Sequence, residues 1–228
     1  MQWLKYVLVV CCFAGMTHSA WAGVIVGGTR VIYEGSKKEA SISVSNPDKD
    51  APYLIQSWIE QSPSSGDNKA PFIMTPPLFR LDSGQENVLR IIRTADSFPK
   101  DRESVFWLNI KSIPASEKSE SNKLQISVKT RIKLFYRPSD LSGVAAEAYQ
   151  ALTFERLGNQ LKVNNPTPYY VSFFRVSVGG KEIENAGMVA PKSSLAWDLP
   201  AGTSGAVSWQ AINDFGGITK ALEFTTKN

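Results

Sequence analysis

The chain has 228 residues, a formal net charge of +4 and 43% hydrophobic residues, and it contains two cysteines and one histidine. This length suffices for one large or two ordinary domains, and so mild a charge does not indicate a nucleic-acid-binding protein. Because Cys11, Cys12 and His18 all lie near the N-terminus, the remainder has no residues for a disulfide, a catalytic thiol or a histidine-based site.

The N-terminal segment has the composition of a secretory signal peptide. Lys5 supplies a positive charge, residues 6–16 form an apolar core, and residues 20–22 (AWA) form a small-x-small cleavage site. The apolar run is too short to span a membrane. We therefore predict cleavage after Ala22 and an exported, soluble mature chain that carries a charge of +3 once Lys5 is removed. Such a chain is expected to bind no metal and no cofactor.

From Gly23 onward, short segments of alternating hydrophobicity are separated by turn signals. Gly27 and Gly28 predict a bulge or a crossing between sheets in the first segment. Pro76 and Pro77 exclude a central strand and indicate a sheet edge or a loop. The first six predicted strands are VIVGGTRVIYEG, EASISVSN, PYLIQSWIEQ, FIMTPPLFRL, ENVLRIIRTA and SVFWLNIKSI.

The seventh predicted strand, LQISVKTRIKLFYRP at 124–138, is the longest. Its apolar residues recur at every second position, whereas strands usually have about 5–6 residues. One interpretation is a long central strand with a buried face. The other is a strand whose first half lies at a sheet edge, where exposed apolar residues are normally avoided and would be kept for a partner. The pattern alone does not decide between them.

A second block of strands follows the segment SDLSGVAAEAYQ, which reads as a linker or a short helical turn. Its strands are LTFERLGNQLKVNN, PYYVSFFRVSVGG, SLAWDLP, AVSWQAIND and KALEFTTKN. Residues 157–160 indicate a hairpin turn within the first of these. The spacing predicts an all-β protein of two immunoglobulin-like sandwiches, with residues 23–141 in the first domain and 142–228 in the second.

Two cations stand in apolar surroundings, Arg30 in the first strand and Lys133 near the end of the long one. They either extend to a solvated edge or converge where the domains meet and bind an anion, most simply a carboxylate. Glu103, Asp214 and Asp101 are the carboxylates that could do acid–base chemistry, although loop carboxylates are far more often turn, cap or ion-pair residues.

Four motifs from both halves of the chain, PKDRESVFWLNIKSIPA, RIKLFYRP, NPTPYY and AINDFGG, resemble the periplasmic chaperones of the chaperone–usher pilus pathway. The resemblance covers essentially the whole mature chain. It implies two immunoglobulin-like domains joined at an angle with a cleft between them. It also implies a non-enzymatic, periplasmic protein that captures and folds pilus subunits and delivers them to an outer-membrane usher. The short loop before residue 124 resembles that of the branch associated with rod-like pili.

The same resemblance assigns roles to individual residues. Arg30 and Lys133, with Thr29 beside them, would bind the C-terminal carboxylate of a subunit. Three aliphatic side chains would be donated into the incomplete sandwich of the subunit by donor-strand complementation; they are Leu124, Ile126 and Val128. An interdomain charge network would consist of Glu103, Arg137 and Asp214, which could otherwise be three surface charges. The candidate usher contacts are Pro52, Pro76 and Pro77, which could also simply stiffen loops.

Two other functions are alternatives to a pilus-assembly chaperone. A fibre subunit or adhesin would lack one strand, whereas this sequence holds two full strand sets. A hydrolase working through carboxylates alone would need converging acids in one cleft. The apolar edge also predicts that two free copies could cap each other by exchanging strands.

Overall fold

The computed structural model describes residues 23–61, 70–116, 124–200 and 202–224. Within these residues the chain forms two β-sandwiches, each built around its own hydrophobic core. The predicted all-β, two-domain architecture is therefore confirmed. The predicted signal peptide and its cleavage site lie outside the described residues.

The first sandwich consists of a four-stranded and a five-stranded sheet. The first sheet has the order β1 (Ile25–Val26), β3 (Glu39–Ser45), β7 (Glu86–Arg93) and β5 (Phe72–Thr75). The second sheet has the order β2 (Arg30–Glu34), β9 (Val128–Arg137), β8 (Ser104–Pro114), β4 (Tyr53–Gln61) and β6 (Leu78–Leu81). Fully buried side chains from both sheets, among them Tyr33, Ile55, Leu89 and Leu108, fill the space between them.

The chain changes sheets at both positions where the sequence predicts an interruption. β1 pairs antiparallel with β3, whereas β2 pairs parallel with β9, so the crossing falls at the Gly27-Gly28 pair. A side chain at Gly27 would collide with the Ser43 side chain, which explains the need for glycine there. Pro76 and Pro77 join two strands that lie at the edges of opposite sheets, β5 and β6. The predicted crossing and the predicted edge are both confirmed.

The long strand begins at Val128 and not at Leu124, so the prediction was wrong by four residues. Its first residue pairs with Ser112 of β8, near the end of that strand, and no further pairing precedes it. Its other neighbour, β2, reaches only from Lys133 to Arg137. Only Ile113 and Pro114 of β8 remain beyond this pair, and a proline has no backbone N–H to donate, so the pairing does not continue through residues 124–127. β9 is therefore an edge strand in its first half and a central strand in its second, and it combines both interpretations of the sequence.

The second sandwich follows a 3-10 helix at Ala145–Ala151, which confirms the helical-turn alternative for this segment. One sheet contains β10 (Thr153–Leu157), β11 (Gln160–Asn165) and β15 (Ser193–Asp198). The other contains β13 (Lys181–Glu182), β12 (Val171–Val178), β16 (Val207–Ala211) and β17 (Leu222–Phe224), with β14 (Met188–Val189) pairing to β12. The predicted hairpin is confirmed by the pairing of Leu157 with Gln160. The two-residue strands β13 and β14 are too short to produce a sequence pattern, and they were not predicted.

Candidate anion-binding site

The structure brings Arg30 and Lys133 side by side. They are direct partners in the parallel pairing of β2 and β9, so their side chains share one face of the sheet on adjacent strands. Lys133 Nζ donates a hydrogen bond to Ser172 Oγ at 3.3 Å, and Arg30 Nη1 donates to the carbonyl of Ile212 at 3.0 Å. Both acceptors belong to the second sandwich. The two cations therefore lie together at the junction of the domains.

The positive charge of this pair is poorly compensated. Neither cation forms an ion pair with a carboxylate of the described residues, and the buried Nε of Arg30 has no hydrogen-bond partner there. Burial lowers the pKa of Arg30, although Asp214 and Glu103 act in the opposite direction. Burial also lowers the pKa of Lys133, and the nearby charge of Arg30 lowers it further. Two adjacent, partly desolvated cations favour an anion between them, and a carboxylate would accept hydrogen bonds from both.

We expect the amine of Lys133 to lose its proton at a lower pH than an ordinary lysine, because the two causes above both disfavour its charged form. The measurement is an NMR titration of the reductively 13C-methylated protein, in which a Lys133→Arg variant identifies the resonance. Adding a peptide with a free C-terminal carboxylate should move the titration of that resonance to higher pH. A Lys133 resonance that titrates like an unperturbed lysine and ignores the peptide would contradict the site.

Thr29 lies against a turn of the second sandwich, beside the cation pair. A Cβ added to Gly216 would come within 2.5 Å of Thr29 Oγ1, and this glycine has a φ of +83°. Asn213 closes the turn, because its Oδ1 accepts hydrogen bonds from the backbone N–H groups of Phe215 and Gly217. Glycine at 216 thus satisfies both the backbone conformation and the close approach of the domains.

Arg137 connects two carboxylates across the same junction. Its Nε donates to Glu103 Oε1 at 2.7 Å, and its Nη1 and Nη2 donate to the two oxygens of Asp214 at 2.8 and 3.0 Å. Glu103 Oε2 accepts a further bond from the backbone N–H of Tyr170 at 2.8 Å. The three predicted network residues are therefore in contact. The Arg137–Glu103 bond lies within the first sandwich, whereas the bonds of Arg137 to Asp214 and of Tyr170 to Glu103 join the two sandwiches.

Glu103 is the most deeply buried of these charges, with 2% of its side chain exposed. Burial raises its pKa, while Arg137 and the Tyr170 N–H act to lower it. The carboxylate therefore depends on these partners to remain ionised. Since Glu103 and Asp214 both hold Arg137, they are structural ion-pair partners in this arrangement and not a free acid–base pair. Asp101, the third predicted carboxylate, is exposed and bonds Arg102 and Lys192.

The three predicted donor residues are exposed, as their proposed role requires. Leu124, Ile126 and Val128 have exposed fractions of 89%, 67% and 56%. Only Val128 lies within β9, so the other two precede the sheet. Residues 117–123 of the preceding loop lie outside the described residues, and the assignment to the rod-like branch stays a prediction.

Of the predicted usher contacts, Pro52 directly precedes β4, whereas Pro76 and Pro77 lie beside Ser57 in the middle of that strand. The carbonyls of Pro76 and Pro77 accept bonds from the side chain and the backbone N–H of Ser57, and the carbonyl of Pro52 accepts one from Ala115. These bonds are consistent with a stiffening role.

Sequence reasoning missed two exposed leucines, Leu54 and Leu78, which are diagonal neighbours across β4 and β6. The available signal in the sequence was Leu78, a large apolar residue directly after the proline pair that indicated a sheet edge.

In the described part of the chain, no group of three or more His, Cys, Asp or Glu side chains is placed to hold a metal ion. None of its helices has the length and apolar character needed to cross a membrane.

Comparisons with known proteins connect this geometry to a family. Residues 23–142 match the model of the pili and flagellar-assembly chaperone PapD N-terminal domain, and residues 147–222 match that of the pili assembly chaperone PapD C-terminal domain. A probable fimbrial chaperone, LpfB of Escherichia coli O157:H7, is 49% identical over 90% of this chain and 88% of its own length. The chaperone FimC of E. coli K12 is 41% identical over 89% and 84%.

A solved structure extends the similarity to three dimensions. The structure of the Salmonella enterica SafA pilin in complex with the SafB chaperone matches with a TM-score of 0.83 and 36% identity, over 92% of this chain and 99% of that one.

Proposed function

The chain belongs to the PapD family of pilus-assembly chaperones, and from this premise we propose that it binds, folds and caps pilus subunits by donor-strand complementation. The observation that carries the proposal is the combination of the cation pair, Arg30 and Lys133, which has no carboxylate ion-pair partner among the described residues, with an exposed aliphatic segment that leads into the strand of Lys133. A carboxylate would occupy the first, and an open groove in a subunit would cover the second.

The cation pair would fix the register of the bound subunit. Shifting an extended chain by one residue turns all of its side chains to the opposite face, so a strand addition needs a fixed point. A C-terminal carboxylate held by Arg30 and Lys133 would supply such a point at the junction of the domains. From there the subunit strand would run along the unpaired edge of β9, from Ile132 towards Val128, and its backbone would complete the sheet.

The aliphatic row would supply the apolar part of the binding energy. Burying each of Leu124, Ile126 and Val128 contributes roughly 1.5–3 kcal/mol before the cost of ordering the segment. Residues 124–127 form no strand in the free protein, so they would gain their strand pairing only in the complex. The free chain thus presents what a subunit lacking its last strand needs.

We expect wild-type protein purified from the periplasm to carry a small immunoglobulin-like subunit, and an Ile126→Ala variant to bind that subunit about tenfold more weakly, since about 1.4 kcal/mol corresponds to a factor of ten. Affinity is measured on the purified pair by titration calorimetry. Ile73→Ala is the matched control, because Ile73 is equally aliphatic and 53% exposed but lies on the other sheet. Equal affinity for all three proteins would contradict the donor role, and the absence of any subunit would contradict the chaperone function.

The remaining assignments are proposals of the same kind. Fimbrial chaperones of this family are periplasmic, and we propose export by the N-terminal signal peptide with cleavage after Ala22. Delivery to an outer-membrane usher would use the surface around Pro52, Pro76 and Pro77. Residues 23–141 and 142–228 are the proposed domains. In the absence of a subunit, two copies could cap each other through the exposed donor segments.

A further inference from the structure

The outer face of the second sheet of the first domain carries an ordered set of aromatic and basic side chains next to the cation pair. Antiparallel pairing places Trp58 beside Asn109 and Arg131 in one cross-strand row. The neighbouring row contains Glu60, Trp107 and Lys133, and it continues to Arg30 on β2. A third row contains Gln56, Lys111 and Lys129. We call Trp58, Trp107, Lys111, Lys129 and Arg131 the basic aromatic face.

The two tryptophan rings hold the two cations that β9 contributes to this face, Lys129 and Arg131, in defined positions. The guanidinium of Arg131 lies 4.4 Å from the centre of the Trp107 ring, and Lys129 Nζ lies 5.3 Å from that of the Trp58 ring. A guanidinium stacked on a ring keeps the N–H donors at its edge available for a carboxylate. The order imposed by the rings also lowers the entropy that these long side chains would lose on binding a partner.

The charge on this face is strongly unbalanced. Glu60 is the one carboxylate in the three rows, and it is already engaged by Trp58 Nε1 at 2.7 Å and by Arg131 at 3.6 Å. The hydrogen bond from Trp58 keeps the pKa of Glu60 below its ordinary value, so this residue stays ionised and offsets one positive charge. Lys111, Lys129 and Arg131 leave an excess of cations that leads directly to Lys133 and Arg30.

We propose that the basic aromatic face recognises a carboxylate-rich surface on the pilus subunit, adjacent to the C-terminal strand whose carboxylate meets Arg30 and Lys133. This inference rests on the proposed function and adds a second recognition element to it. The cations are continuous with the anchor pair and have the sign that complements acidic side chains. They attract the subunit from a distance and orient it before the strands pair, so their main effect is on the rate of association.

The test measures association kinetics with the subunit that co-purifies with wild-type protein, by stopped-flow fluorescence at about 20 mM and about 500 mM salt. The test variant is Lys129→Glu, Arg131→Glu. The matched control is Arg156→Glu, Lys181→Glu, which changes the net charge equally on exposed residues of the second domain. A milder pair, Lys129→Gln and Arg131→Gln, guards against misfolding. We expect the test variant to associate about tenfold more slowly than wild type at low salt, with the difference shrinking to less than about twofold at high salt.

The control should differ from wild type by less than about twofold at either salt concentration. Equal slowing of the test variant and the control would show that net charge alone matters, and it would overturn the inference. Unchanged association of the test variant would also overturn it, and would mean that the cation–aromatic pairs only stabilise the surface; the chaperone function would then still stand. If wild type associates with no subunit, the proposed function fails, and this inference with it.

Discussion

Replacing both Arg30 and Lys133 by alanine is expected to lower the affinity for a pilus subunit by about a hundredfold or more. Each hydrogen bond to a charged group contributes about 1.5–3 kcal/mol, so the loss of two such groups exceeds about 3 kcal/mol, and about 1.4 kcal/mol corresponds to a factor of ten. The measurement is titration of the variant with the purified subunit, together with its yield in periplasmic co-purification. A subunit that is not captured should be degraded or aggregate.

The stability of the protein should not fall when the charge of Lys133 alone is removed. Lys133 is partly desolvated, lies beside the like charge of Arg30 and has no carboxylate partner among the described residues, so its charge does not stabilise the free protein. Lys133→Met, which keeps the aliphatic stem and removes the charge, is expected to unfold at the same urea concentration as wild type or a higher one. Lys181→Met, which removes one charge from an exposed position of the second domain, is the matched control. Retained affinity, or a large loss of stability in Lys133→Met, would show that the pair is structural.

The free protein keeps two unfavourable features, a desolvated cation pair and an exposed aliphatic segment, where an ordinary sandwich would neutralise the first and bury the second. One partner with an unfilled groove and a terminal carboxylate would satisfy both at once. A competing fibre-subunit function does not account for the cation pair, and two of the carboxylates considered for a hydrolase, Glu103 and Asp214, are both engaged by Arg137.

The sequence predicts the sandwiches well because side-chain alternation is a local property. Ile42 and Val44 are buried as their pattern indicates, and Gly27-Gly28 lies at the crossing between sheets. The same alternation continues through Leu124 and Ile126, where there is no strand, because strand formation depends on a neighbouring chain and not on the pattern.

The site depends on pairing between distant residues, and the sequence alone cannot supply it. Arg30 and Lys133 are about a hundred positions apart, and only the parallel register of β2 and β9 makes them neighbours. Ser172 and Ile212, which accept their hydrogen bonds, look like ordinary strand residues in the sequence. The cross-strand rows of the basic aromatic face require the register of three strands and could not be predicted from any one of them.

Arg137→Ala is expected to destabilise the protein by about 3 kcal/mol at neutral pH, because it leaves the buried carboxylate of Glu103 without its cation. The measurement is urea-induced unfolding followed by tryptophan fluorescence. Adding Glu103→Gln to this variant should recover part of the loss, since it removes the buried charge. Adding Asp214→Asn should recover little, since Asp214 is more exposed and more easily hydrated.

The loss caused by Arg137→Ala should also depend on pH. Burial already raises the pKa of Glu103 and Arg137 opposes this effect, so removal of Arg137 raises that pKa further. A carboxyl group with a raised pKa in the folded state contributes stability that is fully present below its unfolded pKa and is lost as the pH rises through the folded value. The variant should therefore lose stability relative to wild type as the pH rises from about 4.3, the ordinary pKa of glutamate, towards neutrality, and the difference should narrow on acidification. A difference that is constant over this range would mean that Glu103 does not carry the effect, and that the loss comes from the contacts of Arg137 with Asp214 or from its packing over the Tyr169 ring.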